Sequence, residues 1–85
     1  MSNDRLREKI QALQKIFRSI FDDEELTINS ETTSMDVEGW DSLAHIRLII
    51  AIEKYFDLRL TAAEITNLNN VGDIGLLLIQ KQSKF

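Results

Sequence analysis

The 85-residue chain contains no cysteine and no proline, only three glycines and one histidine, and 7% aromatic residues. Without cysteine there is no disulfide staple, no thiolate metal ligand and no cysteine nucleophile. The missing proline leaves no proline-rich linker, and no low-complexity segment or internal repeat divides the sequence. One histidine and no glycine-rich loop argue against a self-contained enzyme, and no metal centre is expected. The longest apolar run, Leu48 to Ile52, is far too short to cross a bilayer. Met1 to Lys15 is too charged for a secretory signal, so a soluble cytoplasmic protein is the expectation. The formal charge of −4 and the few aromatics disfavour a partner that is a nucleic acid.

What remains is 44% hydrophobic and 28% charged, enough for one domain spanning 1–85 with a modest core. The charge is unevenly placed. Residues 1–21 carry +3, residues 22–41 carry −8, residues 42–56 carry +1 and residues 57–85 sum to zero.

Leu6, Ile10, Leu13, Phe17, Ile20 and Phe21 recur at spacings of three and four, which predicts an amphipathic helix over about 3–21. Asp22 to Glu25 closes it with four acids, unfavourable at a helix C-terminus but harmless in a loop. That run lacks the alternating ligands and glycine of a calcium loop and reads as a solvated turn. Residues 22–41 show no sustained period, and a connection of that length is commonly functional. Its scattered apolar residues predict a loop pinned to the core. Asp41 can cap a helix over 42–56, Thr61 and Glu64 fit a capping box opening a short helix over about 62–68, and Asn70 starts a last helix over 71–82 with Val71, Ile74, Leu77 and Leu78 inward. The fold class is therefore all-α: a small four-helix bundle with a long first loop and a short third helix.

At about 100° per residue, the helix over 42–56 carries two apolar stripes on opposite sides. Leu48, Ile49, Ile52 and Phe56 form the heavier one and the expected core face. Leu43, Ile46 and Ile50 form the lighter one, bordered by Arg47 and Lys54. This cation-edged strip is either a docking site for a partner or a seat for the long loop, and the pattern leaves both open. Asp41-Ser42-Leu43 opens the helix. A lone serine there is ordinarily a cap. His45 lies toward the buried arc, where packing or hydrogen bonding accounts for it better than catalysis does, and Trp40 reads as an aromatic anchoring the loop.

Gly39-Trp40-Asp41-Ser42-Leu43, the helix running to Glu53-Lys54-Tyr55-Phe56, then Leu58-Arg59-Leu60-Thr61 and Val71-Gly72-Asp73-Ile74, resembles the acyl carrier protein family over about residues 5–80. The resemblance implies that Ser42 carries a covalent 4′-phosphopantetheine arm derived from coenzyme A, whose thiol holds acyl groups as thioesters. It implies a non-catalytic carrier that works with several enzymes: a phosphopantetheinyl transferase that brings its own metal and base, and acyl-activating and acyl-processing enzymes. In the family the residue matching Asp41 lies near the transferase's metal, although the cap role alone also accounts for it. Fatty-acid-synthesis carriers usually have a strongly acidic second helix, whereas Ala44, Arg47 and Lys54 stand here at positions often acidic there. Partner choice follows electrostatic complementarity, so the expectation is a specialised, monomeric carrier in a lipid, polyketide or polysaccharide pathway that docks through Leu43, Ile46, Arg47, Ile50 and Lys54. An aminoacyl or peptidyl carrier, and a helical interaction module without a prosthetic group, are the alternatives.

Overall fold

A computed structural model of the chain describes residues 3–82. The ends of the expected 1–85 span, residues 1, 2 and 83–85, lie outside the described residues. The first apolar stripe folds as α1, Asn3–Ile20, with Asp4 in its first turn and Arg18 in its last, each placed to favour the helix dipole. Leu13, Ile16 and Phe17 are buried, and Ile10, Ile20 and Phe21 pack partly against them. The helix ends at Ile20 rather than at 21 because Asp22 adopts the left-handed conformation (φ 51°). This turn lets the Asp23 N–H reach back to the Arg18 carbonyl at 3.0 Å.

The remaining helices are α2, Ser42–Phe56, α3, Ala62–Thr66, and α4, Val71–Gln82. In α2 the Asp41 carboxylate accepts the Ala44 N–H at 2.9 Å, the cap expected from the sequence. At the other end Asp57 is left-handed (φ 55°), and the Leu58 N–H bonds the Glu53 carbonyl at 3.1 Å. The capping box of α3 is present in both directions, Thr61 to Glu64 and Glu64 to Thr61. That helix is shorter than the expected 62–68. The Leu68 N–H bonds the Ile65 carbonyl in a tight turn, which tucks Leu68 against the core, while Asn69 and Asn70 serve the next helix. The Asn70 side chain accepts the Asp73 N–H at 2.8 Å, and Asp73 accepts the Asn69 N–H at 3.0 Å.

The core joins Leu13 and Phe17 of α1, Leu48 and Ile52 of α2 and Val71, Ile74 and Leu78 of α4, all essentially without exposure. Full burial of each such side chain contributes about 1.5–3 kcal/mol. α4 lies close on α1 because Gly75 faces Leu6: a Cβ at Gly75 would stand 2.7 Å from Leu6 Cδ1.

Residues 21–41 are pinned, as the scattered apolar residues predict. Ile28 and Val37 are buried. Polar side chains of α1 hold the backbone beside them: Gln14 accepts the Ile28 N–H at 3.0 Å, and Arg18 Nε donates to the Leu26 carbonyl at 2.7 Å. Two loop carbonyls, Thr32 and Ser30, accept the Val71 and Gly72 N–H groups at 2.9 and 2.8 Å. Those are orphan donors of the first turn of α4, so the loop caps that helix with its own backbone. Several acids serve local turns, Asp23 accepting from the Glu25 N–H and Asp36 from the Thr33 N–H.

Candidate functional site

Ser42 is the first residue of α2 and is exposed. Two constraints place it. Asp41 terminates the helix with extended backbone (φ −107°, ψ −170°), and its carboxylate and carbonyl take the Ala44 and His45 N–H groups. The N–H groups of Ser42 and Leu43 have no partner among the described residues and lie at the positive end of the helix dipole. Asp41, not Ser42, is therefore the cap.

Trp40 fixes the approach to this turn. Its ring meets Phe17 edge-on at 5.1 Å between centroids and lies 6.3 Å from Phe21. Its indole N–H donates to His45 Nδ1 at 3.0 Å, and the two rings stack at 6.0 Å. An aromatic edge contact and a hydrogen bond each contribute about 0.5–1.5 kcal/mol, enough to hold the turn in one place. Because Nδ1 accepts, the imidazole proton sits on Nε2, and His45 keeps no lone pair with which to activate the Ser42 hydroxyl. No other side chain among the described residues accepts from that hydroxyl.

Ser42 opens onto a cleft of about 540 Å³ between the start of α2 and α3. Asp41, Ser42, His45 and Ile46 line one side, and Ile65, Thr66, Leu68 and Asn69 the other, with Ser34 and Trp40 at the end. The α3 residues and Ser34 were not singled out from the sequence. Nothing local marks Ser34, and the α3 set is recognisable only once the short helix is known to face the start of α2.

The two stripes of α2 separate as expected. Leu48, Ile49 and Ile52 are buried, and the loop does not cover the lighter stripe: Leu43, Ile46 and Ile50 are 66%, 56% and 47% exposed. Arg47 and Lys54 are exposed beside it and form no ion pair. The α2 acid, Glu53, shares a hollow with Ile50 and Lys54, and its carboxylate accepts the Leu60 N–H at 2.9 Å. In the loop, Met35 is 93% exposed, next in sequence to Ser34 of the cleft.

A short bundle that presents an unactivated serine in the first turn of a helix capped by its neighbour, beside a cleft and an open apolar strip, has the layout of a carrier. Residues 11–78 match the family described as "Phosphopantetheine attachment site". Among solved structures, the holo acyl carrier protein from Geobacter metallireducens is 36% identical, with a TM-score of 0.83 over 88% of this chain and 86% of that one. A structure from Mycobacterium tuberculosis described as a candidate acyl carrier protein shares the fold, with 23% identity and a TM-score of 0.74 over 87% of this chain and 97% of that one. The chain belongs to the acyl carrier protein family, whose prosthetic group is covalently attached 4′-phosphopantetheine. The residues present fit that group, since a phosphodiester on Ser42 would meet two free backbone N–H groups and a helix N-terminus. No helix among the described residues is long and apolar enough to cross a membrane.

Proposed function

We propose that Ser42 is the attachment residue and that the whole chain works as one non-catalytic, monomeric carrier domain. The observation that carries this reading is the position of Ser42: exposed, in the first turn of α2, with two unpartnered N–H groups around it and a cleft of about 540 Å³ beside it. The arm's terminal thiol supplies thioester chemistry, holding acyl groups that partner enzymes load, modify and remove. The chain's own residues do the rest. Asp41 holds the helix start in register, Trp40 and His45 hold the approach, and the free N–H groups of Ser42 and Leu43 favour the phosphodiester.

A serine hydroxyl without a base is a poor nucleophile, so attachment requires a transferase that supplies base and metal. Leu43, Ile46, Arg47, Ile50 and Lys54 form the surface on which partners dock. Their cation-edged character supports a specialised lipid, polyketide or polysaccharide pathway over housekeeping fatty-acid synthesis.

The test is intact mass after incubation with coenzyme A, magnesium and a broad-specificity phosphopantetheinyl transferase, with Ser42→Ala alongside. A gain of one phosphopantetheine by the wild-type chain alone is expected. A gain by Ser42→Ala would move the attachment site elsewhere, and no gain with either a broad or a dedicated transferase would end the reading. Since Asp41 supplies the cap, Ser42→Ala should change stability by no more than about 0.5 kcal/mol.

A further inference from the structure

A second apolar surface lies on the other side of the α2 crest. Between α1 and α2 runs an open groove of about 460 Å³ with Ile16, Ile20 and Ala51 in its lining, Lys15 and Ser19 from α1, and Lys54 and Tyr55 from α2. No carboxylate lines it. Lys15 and Lys54 come from opposite helices, are exposed and form no ion pair among the described residues. Tyr55 is 56% exposed. Lys54 also lines a neighbouring hollow together with Ile50, Leu58, Arg59 and the acids Glu53 and Asp57, so it stands on the ridge between the groove and the exposed strip, with those two carboxylates on the far side of the ridge from the groove. On the helical wheel Arg47 lies on the same ridge. The surface is thus two apolar tracks separated by cations, on a chain whose net charge is −4.

We propose that the docking face extends over this ridge into the α1–α2 groove, and that its occupant is an acidic amphipathic helix of a partner protein. An apolar stripe of such a helix would rest on Ile16, Ile20 and Ala51, with its flanking carboxylates reaching Lys15 on one lip and Lys54 on the other. Charge complementarity selects this occupant. An anionic bilayer would repel the −8 segment over residues 22–41 as well as the net charge, and two lysines do not offset that. A second copy of this chain offers an acidic loop, but the loop buries Ile28 and Val37 and so has no apolar stripe to present. This extends the docking surface proposed above and does not depend on Ser42 bearing the arm.

The experiment is amide NMR titration of the full chain, with and without the arm. The probes are a helical peptide of leucines flanked by glutamates, its lysine counterpart of identical pattern, and phosphatidylglycerol vesicles. The glutamate peptide should shift the amides of Lys15, Ile16, Ile20, Ala51, Lys54 and Tyr55. Its binding should weaken about tenfold in the Lys15→Glu/Lys54→Glu variant, and similarly at high salt. Both substitutions are at exposed positions, and retained dispersion of the remaining amides reports the fold. Equal binding of the lysine peptide, shifts away from the groove, indifference to the double variant, or preference for vesicles would each overturn the proposal. Arm attachment is read separately by mass, so failure of one reading is distinguishable from failure of the other.

Discussion

Two helices end on an aspartate where the backbone turns left-handed, Asp22 after α1 (φ 51°) and Asp57 after α2 (φ 55°). Both positions carry two separable costs. The left-handed conformation costs an L-residue about 1–2 kcal/mol, with aspartate at the low end. A negative charge at a helix C-terminus opposes the dipole by about 0.3–1 kcal/mol. Asp57→Asn removes only the second cost and should stabilise by about 0.3–1 kcal/mol at low salt, with the gain shrinking as salt screens it. Asp57→Gly removes both, but glycine returns about 0.5–1 kcal/mol through the entropy of the unfolded chain, leaving a net gain of about 1 kcal/mol. For a domain of this size that gain raises Tm by about 4–8 °C. High salt should remove the electrostatic part of the Asp57→Gly gain and leave the steric part less the glycine entropy, about 0–0.5 kcal/mol. Asp22→Gly should behave alike, and the two should add, since they share no hydrogen-bond partner. Urea and thermal unfolding followed by far-UV circular dichroism and by Trp40 fluorescence would measure this at two salt concentrations. A loss of stability in Asp57→Gly at either salt concentration would refute the assignment of the cost to backbone conformation.

Gly72 and Gly75 lie one turn apart in α4 and should respond oppositely to alanine. At Gly72 the new Cβ would stand 2.8 Å from the Ser30 carbonyl oxygen, which accepts the Gly72 N–H, so Gly72→Ala should cost about 1–3 kcal/mol in urea unfolding by displacing the loop. At Gly75 the contact is the tip of Leu6, which can rotate away, and helix propensity of about 1 kcal/mol makes Gly75→Ala neutral or stabilising in the same assay. Glu64 is held below the usual glutamate range, first by the Lys81 ammonium at 2.8 Å and then by the Thr61 N–H. Its contribution is complete above the unfolded-chain pKa and is lost as pH falls through the depressed folded value. Acid titration of stability should therefore show a component below about pH 4.3 that Glu64→Gln abolishes.

The helices were legible because their signals are local. The two stripes of α2, the Asp41 cap, the Thr61–Glu64 box and the Asn70 start each depend on residues within one or two turns of each other. The left-handed turns at Asp22 and Asp57 are weaker signals, because aspartate adopts that conformation less readily than glycine. What the sequence could not supply is contact across the fold. The bond from Trp40 to His45 joins a loop to a helix, Glu53 turns from solvent to the Leu60 backbone, and Gln14 and Arg18 of α1 hold Leu26 and Ile28 of the loop. The same limit applied to the site. Ser42, Asp41 and the Leu43/Ile46/Ile50 strip were visible in one stretch of chain. The far wall of the cleft and the α1–α2 groove arise from segments that meet only when the bundle closes. Burial of Ile16, outside the six-residue stripe read for α1, belongs with these, because it depends on where α2 crosses.

The cleft beside Ser42 has walls of unequal stiffness. Its α2 side is continuous with the buried core and with the Trp40 cluster, so it is part of the rigid body of the molecule. Its α3 side is a five-residue helix with no fully buried residue, held by partial burial of Ile65 against the core and by the Glu64–Lys81 pair. A helix so short has little stability of its own. The opening can therefore change width by displacement of α3 while α1, α2 and α4 keep their places, and the aperture next to the serine is adjustable from one side only. The serine therefore sits at a boundary between a firmly packed wall and a lightly held one, so a substitution in α3 should alter the shape of the cleft while leaving the core packing in place.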